Sequence, residues 1–131
     1  MLNMQANAPV ARRALVVEDN PLMRLLVSSM LMQRGFAVTE QSSAETALEQ
    51  LMENPFDLVV LDIMLSRMSG IDLCHIIRDE LGLVDLPVFA YTALNDLNSI
   101  AHMRMAGFND ILYKPLDGHA LDSALEEVVL H

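Results

Sequence analysis

Leu58-Val59-Val60-Leu61-Asp62 is the stretch on which the fold turns: four apolar residues in a row, closed by a carboxylate. A run this short and this continuously apolar suits a strand covered on both faces, as in a parallel sheet; a strand with one wet face would alternate. The acidic residue at its carboxyl end puts charge where such sheets place their ligands. Comparable runs recur at 14–17, 36–39, 88–91 and 111–113, and helical patterns follow them over about 21–34, 43–53, 70–81, 96–106 and 118–130. Strand and helix alternating five times predict an α/β protein, a (βα)5 doubly wound sheet of five parallel strands.

Local chemistry marks the boundaries. Pro21 suits a first helical turn, with Asp19 or Asn20 able to cap it, and Gly35 follows the helix end. Ser42-x-x-Glu45 reads as a capping box, Gly82 and Gly107 stop two further helices, and Asp117 caps the last, whose Leu121, Leu125 and Val128 recur at helical spacing. Asp57 helps turn the chain into the third strand.

The 131 residues make one domain, 13–131, preceded by a short disordered tail over 1–12. Met1 to Pro9 lacks the basic and apolar blocks of a secretory signal, and the apolar runs are too short to span a membrane. The net charge of −10, with Arg12 and Arg13 the only adjacent basic pair, argues against nucleic-acid binding. Cys74 is alone and sits among Leu73, Ile76 and Ile77, as a small core residue in a reducing, cytoplasmic setting would. The ten methionines read mostly as core filler, and the four histidines lack metal-ligand spacing.

The residues that follow the strands are the chemical ones. Glu18 and Asp19 come after the first strand, Asp62 ends the third, Thr92 ends the fourth, and Lys114-Pro115 follows the fifth. Carboxylates gathered on one edge repel, and a hard divalent cation relieves this most readily, with Mg²⁺ the natural choice. Asp62 is then a carboxylate nucleophile able to form an acyl phosphate. Lys114, the only lysine, pairs with a phosphoryl oxygen, and the Thr92 hydroxyl donates to another.

Four ordered landmarks, Val16-Val17-Glu18-Asp19-Asn20, Leu61-Asp62 with Gly70 after it, Ala90-Tyr91-Thr92-Ala93, and Lys114-Pro115, resemble the receiver domains of two-component response regulators across residues 13–130. The likeness is to single-domain, chemotaxis-regulator-like members with a flavodoxin-like fold. It implies that Glu18, Asp19, Asp62 and the Met64 carbonyl hold Mg²⁺, and that Asp62 is the phosphoacceptor. It also implies that Thr92 is the switch hydroxyl, that Lys114 contacts the phosphoryl group, and that the Lys114–Pro115 bond is cis. The partners implied are a histidine kinase or histidine phosphotransfer protein and a downstream protein target; the chain would catalyse only its own phosphorylation and dephosphorylation.

Other readings remain open: a phosphorylation-independent interaction module, a receiver fragment of a larger regulator or hybrid kinase, a phosphohydrolase using Asp62, or a flavin-binding or structural relative of the fold. The phosphohydrolase would need a second acid/base carboxylate nearby, which Asp62-Ile63-Met64 lacks.

The sequence departs from the family pattern in several places. Ser66 stands where a proline is usual, which leaves the loop from Asp62 to Gly70 less rigid. Ile111 stands where many receivers carry a rotating Tyr or Phe, and Tyr113 shares its face of the strand. Apolar Met64 and Leu94 flank the phosphoryl position, so slow acyl-phosphate hydrolysis is expected. On the first helix Met23, Leu26, Val27 and Met30 share one face while Leu22, Leu25 and Met32 lie outside it. Neighbouring chain could cover that wide arc; as a partner surface it would receive a kinase or phosphotransfer helix, or a second copy in a homodimer.

Overall fold

In the computed structural model, which describes residues 10–128, five parallel strands form one sheet in the order β2-β1-β3-β4-β5. They are β1 (Arg12–Val17), β2 (Phe36–Gln41), β3 (Leu58–Asp62), β4 (Val88–Thr92) and β5 (Asp110–Tyr113). The helices are α1 (Pro21–Gln33), α2 (Ala44–Glu53), α3 (Gly70–His75), α4 (Leu97–Ala106) and α5 (Gly118–Glu127). Every residue of β3 and β4 is buried, the consequence of apolar side chains on both faces with a helical layer over each.

Alternate residues of the strands feed two cores. Leu15, Val17, Val59, Leu61, Val88 and Ala90 pack with α2, α3 and α4, whereas Ala14, Val16, Val60, Phe89 and Tyr91 pack with α1 and α5. The chain runs from β1 out to β2 and then back across to β3, so its order reverses between β1 and β3. That reversal opens a crevice at the carboxyl ends of these two strands.

Several boundaries differ from the sequence-based expectations, each for a local reason. β1 begins at Arg12, inside the span expected to be tail, because Arg12 is registered against Phe36; residues 1–9 lie outside the described residues. Ser43, not Ser42, caps α2 by accepting from Thr46 N at 3.2 Å. Glu45 does not close a box there, since its carboxylate accepts instead from Met68 N at 3.3 Å, across in the loop after β3. The reciprocal box is at α3, between Ser69 and Asp72.

The helix expected over 70–81 is α-helical only to His75 and then widens to a π-helical turn over Ile76–Glu80. The expected 118–130 helix ends at Glu127, with 129–131 outside the described residues. Asn20 rather than Asp19 caps α1, accepting from Leu22 N and Met23 N at 2.9 and 3.1 Å. Gly82 and Gly107 end their helices at positive φ, 68° and 105°, where a side chain would be strained.

The methionines are a correction. Met103 is the fully buried one among the described residues, while Met32, Met52 and Met105 stand exposed because each falls outside the stripe its helix turns to the sheet, and Met64 stands exposed in the loop after β3. Cys74 is buried as expected, its Sγ 3.3 Å from the Ala106 carbonyl, and burial pushes its thiol up to about 11.

Candidate functional site

Of the five side chains singled out at the strand ends, Glu18, Asp19, Asp62 and Lys114 meet at the crevice, and Thr92 closes the neighbouring strand β4. Glu18 and Asp62 are shut away from solvent, and Asp19 stands at the opening. One carboxylate oxygen from each of Glu18, Asp19 and Asp62 lies within 4.8 Å of the other two. The donor set is all hard oxygen, it carries excess negative charge, and it is open on the Asp19 side. These residues therefore fit a divalent cation of the Mg²⁺ type.

Each side chain is aimed by the backbone that carries it. Asp62 closes β3, and its Oδ1 accepts from Met64 N at 3.1 Å, which fixes the carboxylate plane at the start of the following loop. Met64 is thus tied to the site through its amide, while its side chain is exposed. Gly70 packs onto this turn: a Cβ there would come within 2.2 Å of the Asp62 carbonyl oxygen. Only glycine lets α3 start so close to β3.

Lys114 reaches in from the end of β5, with its Nζ 2.6 Å from Glu18 Oε1 and 3.2 Å from Asp62 Oδ2. The Lys114–Pro115 bond that follows is cis. Burial is the largest influence on this ammonium and works against its charge, but the hydrogen bond it donates to Glu18 and the charge of Asp62 outweigh it and raise its pKa. Asp19 is held above the usual carboxylate range by its hydrogen bond with Glu18, then by burial and by Glu18's charge. Both shifts report the same fact, that negative charge outnumbers positive here.

Thr92 is fully buried at the end of β4, and its Oγ1 accepts from Leu94 N at 3.0 Å. Its partner across the ladder is Tyr113, half-exposed on the edge strand, while Ile111 pairs with Ala90 and packs toward the α2–α4 core.

Two residues to which the sequence reading assigned no role also shape the site. Arg24, on the first turns of α1, donates from Nη1 to the Glu18 carbonyl at 2.8 Å and pairs through Nε with Glu40 at 3.3 Å. It pins the acidic loop from outside. Tyr91, fully buried next to Asp62 on the ladder, lies with its ring 5.1 Å from Lys114 Nζ. The Arg24–Glu40 pair and the Tyr91–Lys114 contact join different elements of the fold, so neither could be read from a local pattern.

Residues 14–126 match the family model for the response regulator receiver domain. The chain is 32% identical to the chemotaxis protein CheY of Pseudomonas aeruginosa over 117 residues, covering 88% of this chain and 94% of that one. It is also 31% identical, over 111 residues, to the CAI-1 autoinducer sensor kinase/phosphatase CqsS of Vibrio cholerae, covering 84% of this chain and 16% of that protein. It covers 45% of the heme response regulator HssR of Staphylococcus saprophyticus, so this chain spans half or less of several of the longer curated relatives it matches. Among solved structures, a putative response regulator of Chloroflexus aurantiacus superposes with a TM-score of 0.83 at 27% identity, covering 89% of this chain and 96% of that one. The fold is thus the flavodoxin-like receiver fold, and the chain belongs to the response regulator receiver domain family.

Proposed function

We propose that the chain accepts a phosphoryl group on Asp62 from a histidine kinase or histidine phosphotransfer protein, in the cytoplasm, and signals by phosphorylation-dependent protein interaction or by phosphorelay. One observation carries this reading. Asp62, buried at the end of β3, presents a carboxylate held by Met64 N and Lys114 Nζ beside two further carboxylates able to share a cation.

In the transfer, a carboxylate oxygen of Asp62 attacks phosphorus as the P–N bond of the phosphohistidine breaks; the imidazole leaves and takes up a proton. Glu18, Asp19, Asp62 and the Met64 carbonyl would hold Mg²⁺, which when bound supplies positive charge against the phosphoryl oxygens. Lys114 neutralises a further oxygen as its bond to Asp62 Oδ2 gives way. Thr92 turns its hydroxyl from Leu94 N toward the new group. The protein turns over no separate substrate; the acyl phosphate shifts the population of two conformations.

The partner surface in this reading is the outer face of α1. Leu22, Leu25 and Met32 are 72%, 55% and 51% exposed, and Leu25 and Met32 lie a heptad apart along one line of the helix. A kinase or phosphotransfer helix, or a second copy of the chain, would cover them.

The reading is tested by the intact mass after acetyl phosphate treatment with and without Mg²⁺, beside Asp62→Asn. One phosphoryl group gained only with Mg²⁺, and absent in the variant, is the expected result. No gain from acetyl phosphate or from a histidine kinase would point instead to a phosphorylation-independent interaction module.

A further inference from the structure

The lysine of a phosphoacceptor site has to reach the incoming phosphoryl group and let go of the carboxylates that hold it beforehand. Here Nζ is drawn by Glu18 and Asp62, on a side chain with four rotatable bonds. The Tyr91 ring also lies against this ammonium, its centroid 5.1 Å from Nζ.

Tyr91 is itself immobilised. It is fully buried among the residues packed between the sheet and α1 and α5, with Val60, Leu112 and Leu116 in the same cluster. Its hydroxyl reaches Met23 Sδ of α1 at 3.6 Å, and its backbone is registered beside Asp62 on the ladder. An aromatic face offers a cation a partner that a phosphoryl oxygen does not displace, unlike a carboxylate, because the ring is neutral and does not repel the incoming anion.

We infer that Tyr91 is a positioning residue for phosphoryl transfer: its ring is the fixed platform that keeps Lys114 Nζ over the acceptor while the bond to Asp62 is exchanged for one to the phosphoryl group. The inference rests on the phosphoacceptor reading of the site. It also assigns the site's aromatic to the α1 and α5 face of the sheet, opposite Ile111.

The chain has a single lysine, which makes the contact directly observable. With ¹³C-lysine labelling, the ε-methylene protons give one signal, and the ring above predicts that it lies upfield in the wild type and in Tyr91→Phe. It returns to the free-lysine position in Tyr91→Leu and in the better-filling Tyr91→Met. This readout needs no phosphorylation, so failure of the phosphoacceptor reading would show separately, as a wild type that gains no phosphoryl group.

The kinetic arm is a cycle with Lys114→Met. Loss of the ring by Tyr91→Met slows phosphorylation by acetyl phosphate about tenfold at saturating Mg²⁺, Tyr91→Phe restores the rate, and in the Lys114→Met background the same change alters the residual rate less than about twofold. An equal slowing in both backgrounds, or a lysine signal that is the same in Tyr91→Met as in the wild type, would overturn the inference and leave Tyr91 as packing alone.

Discussion

The two edges of the sheet are built on opposite electrostatic plans. At the amino-terminal edge, Arg78, on the π-helical turn, donates to the carbonyls of Leu83 and Leu86, each at 2.6 Å, to the carbonyl of Gly107 at 2.7 and 3.1 Å, and to Asn109 Oδ1 at 2.9 Å. Asn109 passes the link on by accepting from Val88 N, and Asp57 accepts from Arg13 N at 2.8 Å while donating its own amide to the Arg13 carbonyl. Loop carbonyls there find donors, and the guanidinium spends its fork on three backbone carbonyls and one side-chain amide oxygen. At the carboxyl-terminal edge, three carboxylates face Lys114 and negative charge is left over. An edge whose polar groups are matched holds loops in place; an edge left with excess charge waits for a ligand.

Substitutions at the two edges should therefore fail in different properties. Asp62→Asn should remove phosphorylation altogether, read by intact mass, while leaving the urea midpoint at or above that of the wild type because a repulsive charge is gone. Arg78→Ala should do the reverse. It strands several loop carbonyls and loses about 2–4 kcal/mol in urea unfolding, with the phosphorylation rate of the remaining folded protein unchanged within about twofold. If Arg78→Ala slowed phosphorylation as strongly as it lowered stability, the separation of the two edges would fail.

Cation addition gives a smaller effect of the same kind. Asp19 holds its proton more tightly in the folded chain than in the unfolded one, so without a cation its contribution to stability is present below the ordinary value of 3.8 and lost as pH rises through its raised folded value. At neutral pH in a chelator, Asp19→Asn should therefore stabilise slightly, by about 0.5 kcal/mol given its exposure. Mg²⁺ should raise the melting temperature of the wild type but not of this variant.

Two further measurements sharpen the picture away from either edge. Cys74, with its thiol pushed to about 11 by burial, should resist iodoacetamide in the folded protein at pH 8 and react on unfolding. The exposed pair between Arg34 of α1 and Asp122 of α5 should matter least. Arg34 holds the Asp122 carboxyl below its ordinary value, so its contribution is present above pH 3.8 and lost as pH falls through the lowered folded value. Arg34→Gln should accordingly lose its small difference in melting temperature from the wild type in strong acid.

The lifetime of the acyl phosphate bears on the carboxyl-terminal edge alone. Met64 is exposed beside Asp62, and Leu94, which packs toward the α2–α4 core, follows Thr92 by two residues. Neither can orient a water, so the phosphoprotein should persist for many minutes after donor removal. Met64→Asn or Leu94→Glu should shorten that lifetime, as measured by decay of radiolabel.

The sheet was legible in the sequence because its signal is local. A run such as Leu58-Val59-Val60-Leu61 can be stable only when both of its faces are covered, and glycine at Gly82 and Gly107 ends helices through its own backbone freedom. The five chemical residues were legible for a related reason: parallel strands place whatever follows them on one edge, so order along the chain predicts proximity in space.

What the sequence misread was decided by competition. Glu45 looked like the partner of an N-cap serine, yet Met68 N, more than twenty positions on, offered its carboxylate a better place. The exposed methionines looked like core because hydropathy says what a side chain prefers, not whether its face of the helix is turned toward a partner.

The sequence by itself determined the fold class, the edge on which the chemistry sits and the residue types that gather there, since each follows from short-range pattern and strand direction. Which groups touch was settled only by the tertiary structure: that Arg78 would close the loops of one edge, that Arg24 of α1 would pair with Glu40 of β2, and that the Tyr91 ring would face Lys114. Those contacts join residues from different elements, and distances between elements are set by how two layers of helices pack against one twisted sheet, a property of the whole chain and of no segment of it.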